Sequence, residues 1–276
     1  MKRLGLILFV ALTTFATFLL VTDPIIPDPK PVVDPDKPDP GKPDPTPAPD
    51  PDHPFGVTSL KSNFAFPADA TGATFGIDVS HFQEEINWQQ VAESGVAFAF
   101  IKALEGVTEP DAKFPDNWKG AQAAGVPFAP YHFFSARTTP EAQAAALLEI
   151  IADVPVSALP IALDFEMSSS DPRGWDGRSA AEIANRIDTF IKAVESKRDQ
   201  KVMIYTVKEW WDERLGSEGA KLLENDLLWI ADPRDAALNS GKPEEIDGVV
   251  PTFWQFTSKG RVPGIAKDVD ISVQRP

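Results

Sequence analysis

Eight short apolar segments, rich in β-branched and aromatic residues, recur along residues 55–276, and helical patterns separate the first six of them. Alternating strands and helices predict a parallel sheet with helices packed against its outer face. Eight strands within about 220 residues are enough to close such a sheet into a compact barrel. The segments that we predict as strands are 75–80, 97–103, 127–134, 161–167, 202–206, 227–232, 252–257 and 269–273.

Five helices are predicted between these strands, and several of them have clear end signals. Gly125 suits the position just after a helix. Thr139 and Pro140 suit the N-cap and the first helical position. Ser179 and Glu182 have the spacing of a capping box. The predicted helices are 86–94, 114–124, 139–153, 179–194 and 209–224.

The closing part of the sequence lacks helical patterns. Residues 235–250 are rich in Gly, Pro and Asn, and residues 258–267 are too short and too rich in Gly and Pro to form a helix. We therefore predict an α/β fold. It is an irregular TIM-like barrel with eight strands and about five helices, in which loops join the last three strands.

The N-terminal residues have the composition of an export signal followed by a spacer. Lys2 and Arg3 precede an uncharged, mostly apolar run at 4–21, which predicts export to the periplasm or the extracellular space. Residues 1–22 could be a cleaved signal peptide or, since about 18 apolar residues can span a bilayer, a signal anchor that tethers the protein. Residues 23–54 contain 13 of the 27 prolines and 8 aspartates, which predicts an extended, disordered linker. Residues 55–276 then form the catalytic domain.

Charge and composition exclude several classes of function. A formal net charge of −15 argues against nucleic acid as a partner, because binding it requires basic side chains to neutralise phosphates. The absence of cysteine excludes disulfides, thiolate catalysis and Cys-type zinc sites. The histidines His53, His81 and His132 are scattered, so we expect no metal and no cofactor. We expect a monomer that contacts a membrane only through its N-terminal segment.

Four acidic residues fall at or near the ends of predicted strands. Asp164 and Glu166 are two positions apart, so on a strand their side chains project from the same face. They end the fourth strand, and the carboxyl ends of barrel strands carry the chemistry in this type of fold. Asp78 lies near the end of the first strand and Asp270 lies in the last, and these two strands are neighbours in a closed barrel. The sequence therefore predicts four carboxyl groups at one opening.

Converging carboxyl groups suit the cleavage of a glycosidic bond, for which one acid stays protonated and another carries charge. Two alternatives remain open from the residues alone: a divalent metal site, and acids that are merely neutralised by Arg and backbone amides. Aromatic residues near strand ends could stack on sugar rings or simply pack in the core, and for Tyr131 and Trp254 both interpretations stay open. Tyr205 and Trp229 lie at similar positions.

Short motifs in the predicted domain resemble those of the glycoside hydrolase family 25 lysozymes, and they occur in the same order. They begin with Gly-Ile-Asp-Val-Ser-His-Phe-Gln at 76–83 and cover nearly all of residues 75–273. The other matching segments are 86–88, 100–106, 124–126, 131–133, 141–144, 163–166, 204–206, 228–231, 253–256, 264–265 and 269–271.

This resemblance implies a barrel of eight strands and five helices that hydrolyses the β-1,4 bond after N-acetylmuramic acid in peptidoglycan. Glu166 would be the general acid and Asp164 its partner, with Asp78 and Asp270 as flanking acids. The expected substrate-binding residues are Tyr131, Tyr205, Trp254, Gln255 and Asp232.

The chain departs from the family pattern at two positions near the predicted opening. Asp232-Pro233 replaces an aromatic pair that is frequent there, and Ser272 follows Asp270-Ile271 where asparagine is frequent. Two other functions therefore stay open. One is a non-catalytic module that binds cell walls, and the other is a glycosidase acting on a related amino-sugar polymer such as chitin.

Overall fold

The computed structural model describes residues 74–223, 227–234 and 242–275. The predicted signal segment at 1–22 and the linker at 23–54 lie outside these residues, so both remain predictions. Within the described ranges, no helix is both long enough and apolar enough to cross a membrane.

Eight strands form a closed barrel, as predicted, and a ninth short strand lies outside it. The strand order is β1-β9-β8-β7-β6-β5-β4-β2, and parallel pairing of β1 with β2 closes the ring. The outer strand β3 pairs with the end of β2. The strands are β1 (Thr74–Val79), β2 (Phe98–Glu105), β3 (Glu109–Pro110), β4 (Phe128–Phe133), β5 (Ile161–Asp164), β6 (Val202–Val207), β7 (Leu228–Ala231), β8 (Phe253–Gly260) and β9 (Val269–Gln274).

The barrel is mixed, which corrects the prediction of an all-parallel sheet. Its neighbouring strands from β1 through β8 pair in parallel, whereas β9 runs antiparallel to both β8 and β1. The physical reason is the short connection at 261–268, because a parallel return needs a crossover of a dozen or more residues. This reversal places the start of β9 beside the carboxyl end of β1.

The five predicted helices are all present and pack outside the barrel. The caps form as expected: Thr139 Oγ1 accepts a hydrogen bond from Ala142 N, and Ser179 and Glu182 cap each other. The last helix is shorter than predicted, because a 3-10 segment at Gly216–Leu223 continues the chain beyond Arg214. The helices are α1 (Trp88–Glu93), α2 (Phe114–Ala124), α3 (Pro140–Ile150), α4 (Ala180–Glu195) and α5 (Lys208–Arg214).

Strand alternation divides the core into two layers. The lumen of the barrel is filled largely by aromatic rings, and Phe100 stacks on Trp229 with ring centroids 4.5 Å apart. Side chains of the alternate positions, such as Ile101 and Leu163, pack between the sheet and the helices. Towards the carboxyl ends of the strands the inward-facing row becomes polar, as in Ala162 followed by Asp164. The polar end of the lumen therefore lies directly next to the packed aromatic rings.

Candidate active site

An open cleft of about 500 Å³ lies at the end of the barrel where the parallel strands terminate. All four predicted acids line it, together with three of the predicted substrate-binding residues. The acids are Asp78, Asp164, Glu166 and Asp270, and the three others are Tyr131, Tyr205 and Gln255. The structure thus brings together residues from both ends and the middle of the domain.

Asp164 and Glu166 are held by hydrogen bonds of the backbone between them. Asp164 is the last residue of β5, and the buried Phe165 follows it. The amide of Phe165 donates to the carbonyl of Tyr205 at 2.9 Å, and Thr206 Oγ1 donates to the carbonyl of Phe165 at 2.9 Å. These contacts extend the strand geometry past its end, so that both carboxyl groups reach the cleft.

Glu166 has the properties of a proton donor near neutral pH. Burial raises its pKa to about 7, with a further contribution from the charge of Asp270, while Lys102 opposes the increase. Burial, and then the charge of Glu166, also raises the pKa of Asp164 well above its ordinary value. Asp164 Oδ1 is buried and accepts no hydrogen bond within the described part of the chain. It is therefore available to a donor on a bound substrate.

Asp78 and Asp270 form a carboxyl pair across the seam between β1 and β9. They are register partners, and their side chains share a hydrogen bond. Burial, and then the charge of Asp270, raises the pKa of Asp78, and burial raises that of Asp270 to about 6. Gln255 Nε2 donates to both oxygens of Asp78 at 3.1 Å, and the Tyr205 hydroxyl donates to Gln255 Oε1 at 3.1 Å. This chain of hydrogen bonds fixes the pair in the cleft wall.

Lys102 is a cleft residue that the sequence analysis did not single out. Among the described residues lining the cleft it is the only Lys or Arg, and its Nζ lies 2.9 Å from Glu105 Oε2. Its charge lowers the pKa of Asp164 and of Glu166. The sequence signal was available, because Lys102 continues the inward-facing row of Phe98 and Phe100 on β2.

Trp254 and Asp232 do not line the cleft, which corrects the expectation that they bind substrate. Trp254 is fully buried in the layer outside the barrel, and its Nε1 donates to the carbonyl of Asp232 at 2.9 Å. The carboxylate of Asp232 accepts from Arg234 Nε at 2.7 Å. Trp254 faces outward because side chains alternate along β8, where its neighbours Phe253 and Gln255 face inward.

Comparison with known proteins agrees with this geometry. Residues 77–265 match the sequence profile of the family described as glycosyl hydrolases family 25. The chain belongs to this family. It is 34% identical to lysozyme M1 of Streptomyces globisporus over 216 residues, and this alignment covers 74% of this chain and 68% of the relative. It is 29% identical to an N,O-diacetylmuramidase of Chalaropsis sp over 188 residues, and this alignment covers 65% of this chain and 86% of the relative.

A solved structure also resembles this family 25 member. The bacterial lysozyme from Streptomyces coelicolor superimposes with a TM-score of 0.64 at 31% identity, covering 73% of this chain and 92% of that one. The chain is therefore a glycoside hydrolase with the barrel of its family. The family match ends at residue 265, before Asp270, but the pairing of β9 with β1 places Asp270 opposite Asp78.

Proposed function

We propose that this protein is a muramidase, a lysozyme that hydrolyses the β-1,4 bond between N-acetylmuramic acid and N-acetylglucosamine in peptidoglycan. The observation that carries the proposal is Glu166, a carboxyl group in an open cleft with a pKa of about 7. Such a group still holds its proton near neutral pH and can give it to the leaving oxygen. The relatives called lysozyme and muramidase support the same substrate.

Replacement of the acid tests this proposal. We expect Glu166→Gln to fold normally and to lose at least about 10²-fold in rate, which is the usual contribution of general acid catalysis. The assay is the loss of turbidity of purified cell walls, with mass spectrometry of the released fragments. Near wild-type activity of the folded variant would contradict the role of Glu166. Wall binding without cleavage by the wild type would favour a binding module, and cleavage of chitin instead of cell walls would favour another glycosidase.

The arrangement of the two acids supports a substrate-assisted mechanism. Asp164 and Glu166 project from the same end of one strand, so Asp164 is poorly placed to attack the sugar from the face opposite Glu166. In our proposal the carbonyl oxygen of the 2-acetamido group attacks the anomeric carbon while Glu166 protonates the leaving oxygen. Asp164 Oδ1, which has no partner among the described residues, accepts the acetamido N–H. Water, held by Asp78 and Asp270, then attacks the anomeric carbon and gives its proton back to Glu166, and the bond to the acetamido oxygen breaks.

The stereochemistry of the product distinguishes this mechanism from direct displacement through Asp78 or Asp270. Substrate assistance requires a retained anomeric configuration, which NMR of the first product detects. It also requires that a substrate without the 2-acetamido group reacts very poorly. An inverted product, or a glycosyl–aspartate adduct trapped on the protein, would rule it out.

The proposed substrate lies outside the cytoplasm, so the function requires export. We propose that residues 1–22 direct the protein to the periplasm or the cell exterior, where 4–21 can tether it and 23–54 can act as a spacer. Determination of the mature N-terminus tests the tether, and cleavage near residue 22 would refute it. We also propose that the protein acts as a monomer, which light scattering after size-exclusion chromatography measures directly.

A further inference from the structure

An exposed aromatic ring lies among the residues that line the cleft. Phe82 is 70% exposed, although large apolar side chains are usually covered. Among the described residues, the other exposed large apolar side chains are Met167 and Val156, and only Phe82 and Met167 line the cleft. Apolar surface concentrated at the edge of a groove is typical of a ligand-binding site.

The turn that carries Phe82 is fixed from both sides. Gln83 is buried, and its Oε1 accepts from the amide of Ser80 at 2.9 Å while its Nε2 donates to the carbonyl of Asp268 at 3.1 Å. Ser80 Oγ in turn accepts from the amide of Phe82 at 3.3 Å. Because this backbone is already ordered, little conformational entropy remains to be lost when a ligand binds to the ring.

His81 extends the exposed surface and is itself held by a buried carboxylate. The rings of His81 and Phe82 have centroids 4.2 Å apart and planes tilted by 34°. Asp111 Oδ2 accepts from the backbone amide of His81 at 2.9 Å and lies 2.7 Å from its Nδ1. The Asp111 side chain is 0% exposed, and its Oδ1 accepts from the amide of Lys113 at 2.9 Å. A proton on Nδ1 satisfies this carboxylate, so Nε2 remains available to a ligand.

We propose that Phe82 and His81, together called the rim platform, bind a further sugar ring of the glycan strand at a distance from the bond that is cleaved. A pyranose ring presents an apolar face of C–H groups, which matches the exposed face of Phe82, and hydroxyl groups, which match Nε2 of His81. The platform is continuous with the catalytic cleft, since it follows Asp78 by only a few residues in the chain. This inference rests on the proposed function, because it names a second contact of the same substrate.

Only a strand long enough to reach the platform can bind it, so the test measures how KM depends on glycan length. Peptidoglycan strands of defined length, stripped of peptides, are hydrolysed by the wild type and by Phe82→Ala. We expect KM of the variant to rise about tenfold for long strands, with kcat within about twofold. We expect no change for the shortest strand that the wild type cleaves, because that strand does not reach the platform. Phe82→Trp should restore the wild-type KM, and Val156→Ala provides a control for the loss of an exposed apolar side chain outside the cleft.

The outcomes separate this inference from the function on which it rests. Failure of the wild type to cleave any strand would overturn the proposed function. Normal cleavage by the wild type together with an unchanged KM of Phe82→Ala at every length would overturn the platform alone. An equal rise of KM at all lengths would also overturn it, because a general distortion of the cleft would have that effect. Weaker binding of the variant to intact walls, with unchanged KM on purified strands, would assign Phe82 to another wall component instead.

Discussion

The charge of Glu166 should destabilise the folded protein above neutral pH, and its removal should relieve that cost. The pKa of Glu166 is about 7 in the folded state, whereas a solvated glutamate has a value of 4.5. At 1.36 kcal/mol per pKa unit, this difference corresponds to about 3 kcal/mol. The value is an upper limit, because the side chain is not completely removed from solvent.

The pH range follows from the direction of the change in pKa. Below about pH 4 the carboxyl group is protonated in the folded and the unfolded state, so it contributes nothing. As pH rises from about 4.5 to 7, the unfolded state releases the proton while the folded state retains it, and the folded state loses relative stability. Above pH 7 the carboxyl group is ionised in both states, and the loss of stability has reached its full value. Glu166→Gln should therefore match the wild type near pH 4 and exceed it at pH 8.

Thermal and urea unfolding at pH 4 and pH 8 measure this effect. An advantage of up to about 3 kcal/mol at pH 8 should raise Tm by up to roughly 6–12 °C in a domain of this size. The variant Glu149→Gln, on the exposed side of α3, controls for the loss of one negative charge from an acidic protein. An advantage of Glu166→Gln that is the same at both pH values, or absent at pH 8, would refute the argument that burial raises the pKa of this group.

Three further predictions concern the proton of Glu166, the cleft residue Lys102 and the buried Trp254. Loss of the Glu166 proton should set the alkaline limb of the pH profile of kcat/KM near pH 7. Lys102→Met should move that limb upward and Lys102→Arg should not, because the cation favours ionised Glu166; an unmoved limb in Lys102→Met would contradict this. Trp254→Phe should lower the free energy of unfolding by about 2 kcal/mol, through a lost hydrogen bond and a cavity, and leave KM unchanged. A large rise in KM without loss of stability would instead indicate contact with sugar.

The sequence predicted those parts of the fold that local patterns encode. The end of α2 follows from Gly125, which adopts φ +75° just after the helix, and the capping box at Ser179 marks the start of α4. The antiparallel direction of β9 was not predicted, although the short connection before it, visible in the sequence, leaves too few residues for a parallel crossover. The two residues of β3 are too few to show any periodicity.

The position of the acids in the cleft could be predicted from a simple rule: polar residues at the carboxyl ends of parallel strands meet at one rim. Asp164 and Glu166 follow this rule directly. The same alternation, applied strictly, would have identified Lys102 and excluded Trp254, since neighbours on a strand cannot face the same side. The contact between His81 and Asp111 could not be predicted, because it joins two connecting segments that are distant in the sequence.

Closure of the barrel by β9 has a consequence for when hydrolysis can begin. Asp78 lies on the first barrel strand and Asp270 on the last, and they meet only when β9 inserts between β1 and β8. Such long-range pairing forms late and slowly in folding, because the intervening loop must close first. A ribosome-bound chain that already contains Asp164 and Glu166 still lacks the opposite wall of the cleft. The first appearance of hydrolytic activity during synthesis would therefore mark the docking of the final strand.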